Sequence, residues 1–159
     1  VALRWRRMRA TRALSISAGP ARLDALDLSA DVQLAAGRSA AAAADWRAAL
    51  SLNPKFIPAL HKLATLLAGS VEASLRQPEE ALRLATFLLS APGARQQPVF
   101  LASGAAAYAA CGRFPEAVAL QTDAVRRLGG AGQAAAFAVQ LRNLQAYRDG
   151  RPPSEAQRP

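Results

Sequence analysis

Helical hairpins stacked as repeats and closed by a capping helix are the architecture expected of this 159-residue chain, an all-α fold. Three observations carry the expectation. Hydrophobic residues make up 52% of the chain, and alanine, which loses no side-chain entropy on entering a helix, supplies much of that share. β-Branched residues are sparse and no stretch alternates apolar and polar with period two, so strands have no support in the pattern. Marker residues also recur: Gly37 and Gly112, Ala42 and Ala117, and Ala49 and Ala124 each stand 75 positions apart.

The elements follow in order. A first helix over 21–36 carries Asp24, Asp27 and Asp31 on one face, at i, i+3 and i+7, and closes at Gly37. A second over 39–52 holds Ala42, Trp46 and Ala49 and stops at Asn53-Pro54, since proline cannot continue a helix. A third over 56–68 contains Leu60, Leu63 and Ala64, and the connection after it, 69–77, is expected to be the longest inside the stack. The fourth, 78–91, opens with Pro78 in its first turn and places Glu79 and Glu80 near the positive end of the helix. The fifth, 97–111, closes at Gly112, and the sixth, 114–128, starts with Pro115 and Glu116 and repeats the alanines as Ala117 and Ala124. After Gly129-Gly130-Ala131-Gly132 a seventh helix over 132–149 has Ala134, Phe137, Leu141 and Leu144 as its apolar stripe. Gln133, Gln140, Arg142, Asn143 and Arg148 lie away from that stripe. Such a helix ends the apolar face of a stack in water. Trp46, Leu60, Leu63, Tyr108, Phe114 and Leu141 are the large side chains expected to be buried between hairpins.

Charge divides the chain further. The formal net charge is +9, yet Arg4, Arg6, Arg7, Arg9, Arg12 and Arg22 meet no acid before position 24. The rest carries 20 − 6 = 14 basic against 11 acidic residues, a balance of +3. The domain plan is therefore a basic flexible arm at 1–20, cut off by Gly19-Pro20, a repeat domain at 21–149 and a disordered tail at 150–159. A basic arm suits phosphates, an anionic lipid surface or an acidic protein face. No run reaches the roughly 18 apolar residues that a spanning helix needs. The chain begins with Val1, as a piece of a longer protein or an alternative start would.

The residue inventory argues against catalysis and against a cofactor. His61 is the only histidine and Cys111 the only cysteine, and they fall on different repeats. One cysteine permits no internal disulfide and no cysteine metal cluster. One histidine with scattered acids does not supply three or four ligands at helical spacing, so no metal is expected. Gly129-Gly130-Ala131-Gly132 follows a helix, has no strand before it and no lysine after it, unlike a phosphate-cradling loop.

The marker residues resemble the tetratricopeptide repeat family, whose units run to about 34 residues. Two such units account for all but seven of the 75 positions, and the surplus falls mostly at 69–77. The third unit matches best, with Tyr108, Gly112, Phe114 and Ala117. The first has Ala42, Trp46, Ala49 and Pro54, with Gln33 where an aromatic is usual. The second has Leu60, Leu63, Ala64 and Ala81. Coverage is roughly 21–128, and the run resembles the C-terminal repeat region of a bacterial protein of this kind. The resemblance implies a right-handed solenoid of three hairpins plus the cap, acting as a scaffold that holds a protein or peptide on its concave face. By alignment that groove is lined by Asp24, Asp27, Asp31, His61, Thr65, Ala102 and Ala106, with an acidic end suited to a basic or amide-rich peptide. The lysine, arginine and asparagine clamp by which some members hold C-terminal carboxylates is not present at these positions. The single cysteine fits a cytoplasmic location, though a disulfide-free domain can also live elsewhere; membrane association is the further expectation if the chain is part of a longer one. The alternative is binding of nucleic acid or an anionic membrane through Arg4, Arg6, Arg7, Arg9 and Arg12. Against nucleic acid, the repeats show no basic stripe and Trp5 is the only aromatic among those arginines.

Overall fold

The computed structural model describes residues 2–129 and 134–153, with side chains from 19 onward. It holds seven α-helices and no strand among the described residues: α1 (Ala2–Ala35), α2 (Ser39–Leu52), α3 (Ile57–Gly69), α4 (Pro78–Ser90), α5 (Pro98–Ala110), α6 (Phe114–Leu128) and α7 (Ala134–Arg148). One-turn 3₁₀ segments at Ala73–Leu75 and Ala94–Gln96 sit in the connections on either side of α4. All seven expected helices are present, and 70–77 is the longest connection between helices. One boundary differs: α1 begins well before position 21, with Pro20 inside it. Pro20 brings no N–H to the helix ladder, but the turn is not ended there. The side chains of Arg4, Arg6, Arg7, Arg9 and Arg12 lie outside the described residues, as do residues 154–159 of the expected tail.

Helix ends obey local chemistry. Gly37, Gly112 and Gly150 adopt left-handed φ of 74°, 72° and 69°, the conformation in which a Cβ would be strained. In each case the next residue, an arginine, donates its backbone N–H five residues back: Arg38 to Gln33 at 2.8 Å, Arg113 to Tyr108 at 2.9 Å and Arg151 to Ala146 at 2.8 Å. The last carbonyls of α1, α5 and α7 are thereby satisfied in the same way. Pro78, Pro98 and Pro115 occupy first turns, where a missing N–H costs nothing.

The chain forms two compact units, residues 1–59 and 60–159. In the first, α1 packs on α2. The indole Nε1 of Trp46 donates to Asp27 Oδ1 at 3.0 Å, and Ser29 Oγ donates to Asp45 Oδ2 at 2.7 Å. As numbering rises along α1 it falls along α2, so the pair is an antiparallel hairpin. Ala30, Ala42, Ala43 and Ala49 are fully or almost fully buried, and small side chains let helix axes approach closely.

In the second unit α5 packs between α4 and α6, and α6 against α7. Ala105, Ala109, Ala117, Ala146 and Tyr147 form one buried cluster, with Tyr108 and Phe114 partly buried against it. Leu89, Leu101 and Ala124 form a second, with Leu120 along its side. Gly104 belongs to this crossing: a Cβ there would stand 2.7 Å from Leu89 Cδ1 and 3.1 Å from Leu120 Cδ1.

Of the six large residues expected in the core, Trp46, Leu60 and Leu63 are buried and Tyr108 and Phe114 half-buried. Leu141 is a correction, at 48% exposed. The buried residues of α7 are Leu144, Ala146 and Tyr147. Polar Gln140, expected outside, meets α6 instead. The cause is Gln121 on α6, fully buried, whose Nε2 donates to the Gln140 carbonyl at 2.9 Å and to Gln140 Oε1 at 2.7 Å. A buried amide must find partners, and it turns α7 so that a glutamine faces it.

Candidate functional site

Three helices of the second unit enclose a recess of about 230 Å³. From α3 it takes His61, Thr65 and the closing Gly69; from α5, Val99, Ala102, Ser103 and Ala106; from α7, Val139, Gln140, Asn143 and Tyr147. Pro153, buried just after α7, closes one side. The α5 positions fall at i, i+3, i+4 and i+7, which is one face of a helix. The alanines among them keep that wall low.

A polar cluster joins α3 to α5 at the recess. His61 Nδ1 lies 2.6 Å from Ser103 Oγ, and Thr65 Oγ1 lies 3.0 Å from the same oxygen. Ser103 donates its hydroxyl proton to the Val99 carbonyl at 3.1 Å, and Thr65 donates to the His61 carbonyl at 2.9 Å. With its only proton on Val99, the Ser103 oxygen accepts from His61 Nδ1–H. That assigns the tautomer from the network and leaves Nε2 unprotonated. The imidazole also packs on Phe100, ring centres 5.4 Å apart. Burial lowers the His61 pKa, and the charge of Lys62 lowers it further, so the ring is neutral near pH 7.

Among the described residues, no acidic or basic side chain other than this histidine lines the recess. Its polar groups are an imidazole, hydroxyls and two carboxamides. Tyr147 is almost wholly buried, and burial raises its phenol pKa well above the ordinary value. The Gln140 amide has one end engaged, since its Oε1 accepts from Gln121; its NH₂ is the end that remains.

Four residues expected to line a groove, His61, Thr65, Ala102 and Ala106, stand together around this recess. Asp24, Asp27 and Asp31 belong to the other compact unit. Asp24 and Asp31 are exposed, while Asp27 is half-buried and accepts from Trp46, a contact inside the α1–α2 hairpin. Sequence reasoning missed Ser103, a lone serine in a run of small residues that stands out only once α5 is set beside α3. It also missed Gln140, Asn143 and Tyr147.

The histidine and cysteine are not joined. Ser103 and Phe100 are the residues against the His61 ring, whereas Cys111 caps α5. Burial raises the Cys111 thiol pKa, and the charge of Glu79 adds to the rise, which opposes thiolate formation. Among the described residues no group of three or more His, Cys, Asp or Glu side chains could hold a metal ion. No described helix is long and apolar enough to cross a membrane.

No family model, curated protein or solved structure matches the chain.

Proposed function

We propose that the chain is a non-catalytic protein-interaction module built on tetratricopeptide-like hairpins, and that it holds a peptide segment of a protein partner in the recess between α3, α5 and α7. The observation that carries this reading is the recess itself. It is open, built from one face each of three helices, and mixes small apolar residues with hydrogen-bonding groups. At about 230 Å³ it is smaller than the roughly 300–1,000 Å³ of sites for drug-sized molecules and cofactors. One or two side chains of a peptide fit that space.

The recurrence at 75 residues supports the repeat reading. Ala42 and Ala117 are both fully buried, as are Ala49 and Ala124, and Gly37 and Gly112 close their helices identically. Within the second unit, this reading makes α3 and α5 groove-lining helices and α7 the cap.

The test is peptide selection. A random peptide library displayed on phage is panned on the native chain and counter-panned on Ala106→Arg, which fills the recess with a guanidinium. Ala106 is half-buried at the recess wall, so the arginine can extend into the opening. Clones enriched on the native chain should lose most of their binding on the variant, with its helical circular dichroism unchanged. Clones that bind both proteins alike would place the interaction elsewhere.

A further inference from the structure

Hydrogen-bonding capacity narrows the occupant of the recess. Two groups on opposite walls have one end committed and one end open. On α7, Gln140 Oε1 accepts from buried Gln121 at 2.7 Å, which orients the amide and leaves its NH₂ to donate. On α3, His61 Nδ1 lies 2.6 Å from Ser103 Oγ; in the tautomer assigned from the network it donates there, which leaves Nε2 as a lone-pair acceptor. Each is held by a residue behind it: Gln121 is fully buried, and Ser103 is 3% exposed and tied to the Val99 carbonyl. Asn143 adds a second amide on the α7 side. A donor on one wall, an acceptor on the other and, among the described residues, no formal charge between them complement a group that both accepts and donates while staying neutral.

We propose that the recess recognises the side-chain carboxamide of a glutamine or asparagine in the bound peptide, its oxygen taken by Gln140 Nε2–H and its NH₂ by His61 Nε2. This rests on the reading of the recess as a peptide-binding site. A carboxylate in the same place would meet the lone pair of His61 with no proton to share. An ammonium would meet the NH₂ of Gln140. Either charge would also leave water for a site whose described residues offer no opposite charge to receive it. An aliphatic side chain of the same length would fit but leave both polar walls unpaired, which costs more than the hydrogen bonds themselves contribute. Gly69, Ala102 and Ala106 leave the floor and sides low enough for the peptide backbone to come close.

The experiment uses fluorescein-labelled nonapeptides of alanine and serine with one central residue varied among glutamine, asparagine, leucine, glutamate and lysine. Binding to the full chain is followed by fluorescence polarisation. Glutamine or asparagine should bind at least about tenfold more tightly than leucine, glutamate or lysine, the value of one or two well-made hydrogen bonds. Gln140→Glu keeps an oxygen for Gln121 but turns the open end into an acceptor. It should abolish the carboxamide preference and move it to lysine. His61→Phe, which keeps the ring packing on Phe100, should lower glutamine binding to the level of leucine. Binding by all five peptides without preference would overturn the carboxamide inference and leave the peptide-binding reading standing. An unchanged preference in Gln140→Glu would also overturn it. No binding by any peptide at millimolar concentration would overturn both.

Discussion

At His61, burial and a neighbouring cation act in the same direction. The folded protein resists the imidazolium, first because the ring is largely out of water and second because Lys62 is positive. The unfolded chain has no such resistance and takes up its proton near the ordinary value of about 6.5. A lowered folded pKa means the unfolded state binds more protons as pH falls through that value. The stabilisation by neutral His61 is therefore complete above about pH 6.5 and declines below it. Urea unfolding midpoints should drop between about pH 7.5 and pH 5.5 in the native chain and drop less in His61→Gln. The carboxyls of Glu116, Asp123 and Asp149, lowered chiefly by hydrogen bonds from Arg113, Arg126 and Arg151, titrate below this window. Equal declines in the two proteins would remove His61 from the acid response. His61 was legible in the sequence because it is the only histidine and falls on a helix that the resemblance placed along the groove. Ser103 was not, because one serine in the run from Leu101 to Ala110 gives no signal until its helix is set beside α3.

Between elements, α6 and α7 show where pattern reading stops. Helices and their ends were readable from prolines in first turns and glycines after last turns, both consequences of backbone sterics. The inward face of α7 was not, because the argument assumed that apolar residues face inward. Leu141 fits that rule by composition and breaks it in fact, since Gln121 demands an amide partner and obtains it from Gln140. This contact is asymmetric. Gln121 Oε1 has no hydrogen-bond partner among the described residues, and an orphaned buried acceptor costs about 1–3 kcal/mol. Gln121→Met removes donor and acceptor together at similar volume, and should leave stability within about 1 kcal/mol of the native chain or raise it. Gln140→Ala strands a buried N–H of Gln121 and should cost about 1–2 kcal/mol. Chemical denaturation of the two variants checks the order. A Gln121→Met protein less stable than Gln140→Ala would contradict it.

Across the described residues, the densest helix contacts join neighbours in the chain. α1 packs on α2, α4 on α5, α5 on α6 and α6 on α7. Chains dominated by near-neighbour helix contacts close short loops first and fold in microseconds to milliseconds. The main refolding phase after dilution from urea, followed by far-ultraviolet circular dichroism, should be complete within about ten milliseconds at 25 °C. A main phase slower than about one second would show that distant contacts limit folding. The all-α class was visible in composition alone. The two compact units were not, because the marker residues recur on both sides of position 59 and a recurrence carries no information about how many cores the repeats share.

The 75-residue spacing also pairs Trp46 with Gln121, since 121 − 46 = 75. Both are fully buried at the same place on the second helix of a hairpin. The tryptophan is satisfied by one carboxylate from within its own hairpin. A glutamine is a lock that accepts one key, a helix able to return a carbonyl and a side-chain amide at the same height. The α5–α6 hairpin is thus addressed to α7. Exchanging α7 for a helix with no amide at the place of Gln140 would leave Gln121 without its side-chain partner. The choice of α7 is written inside the protein, in one polar side chain, as grammar rather than as glue.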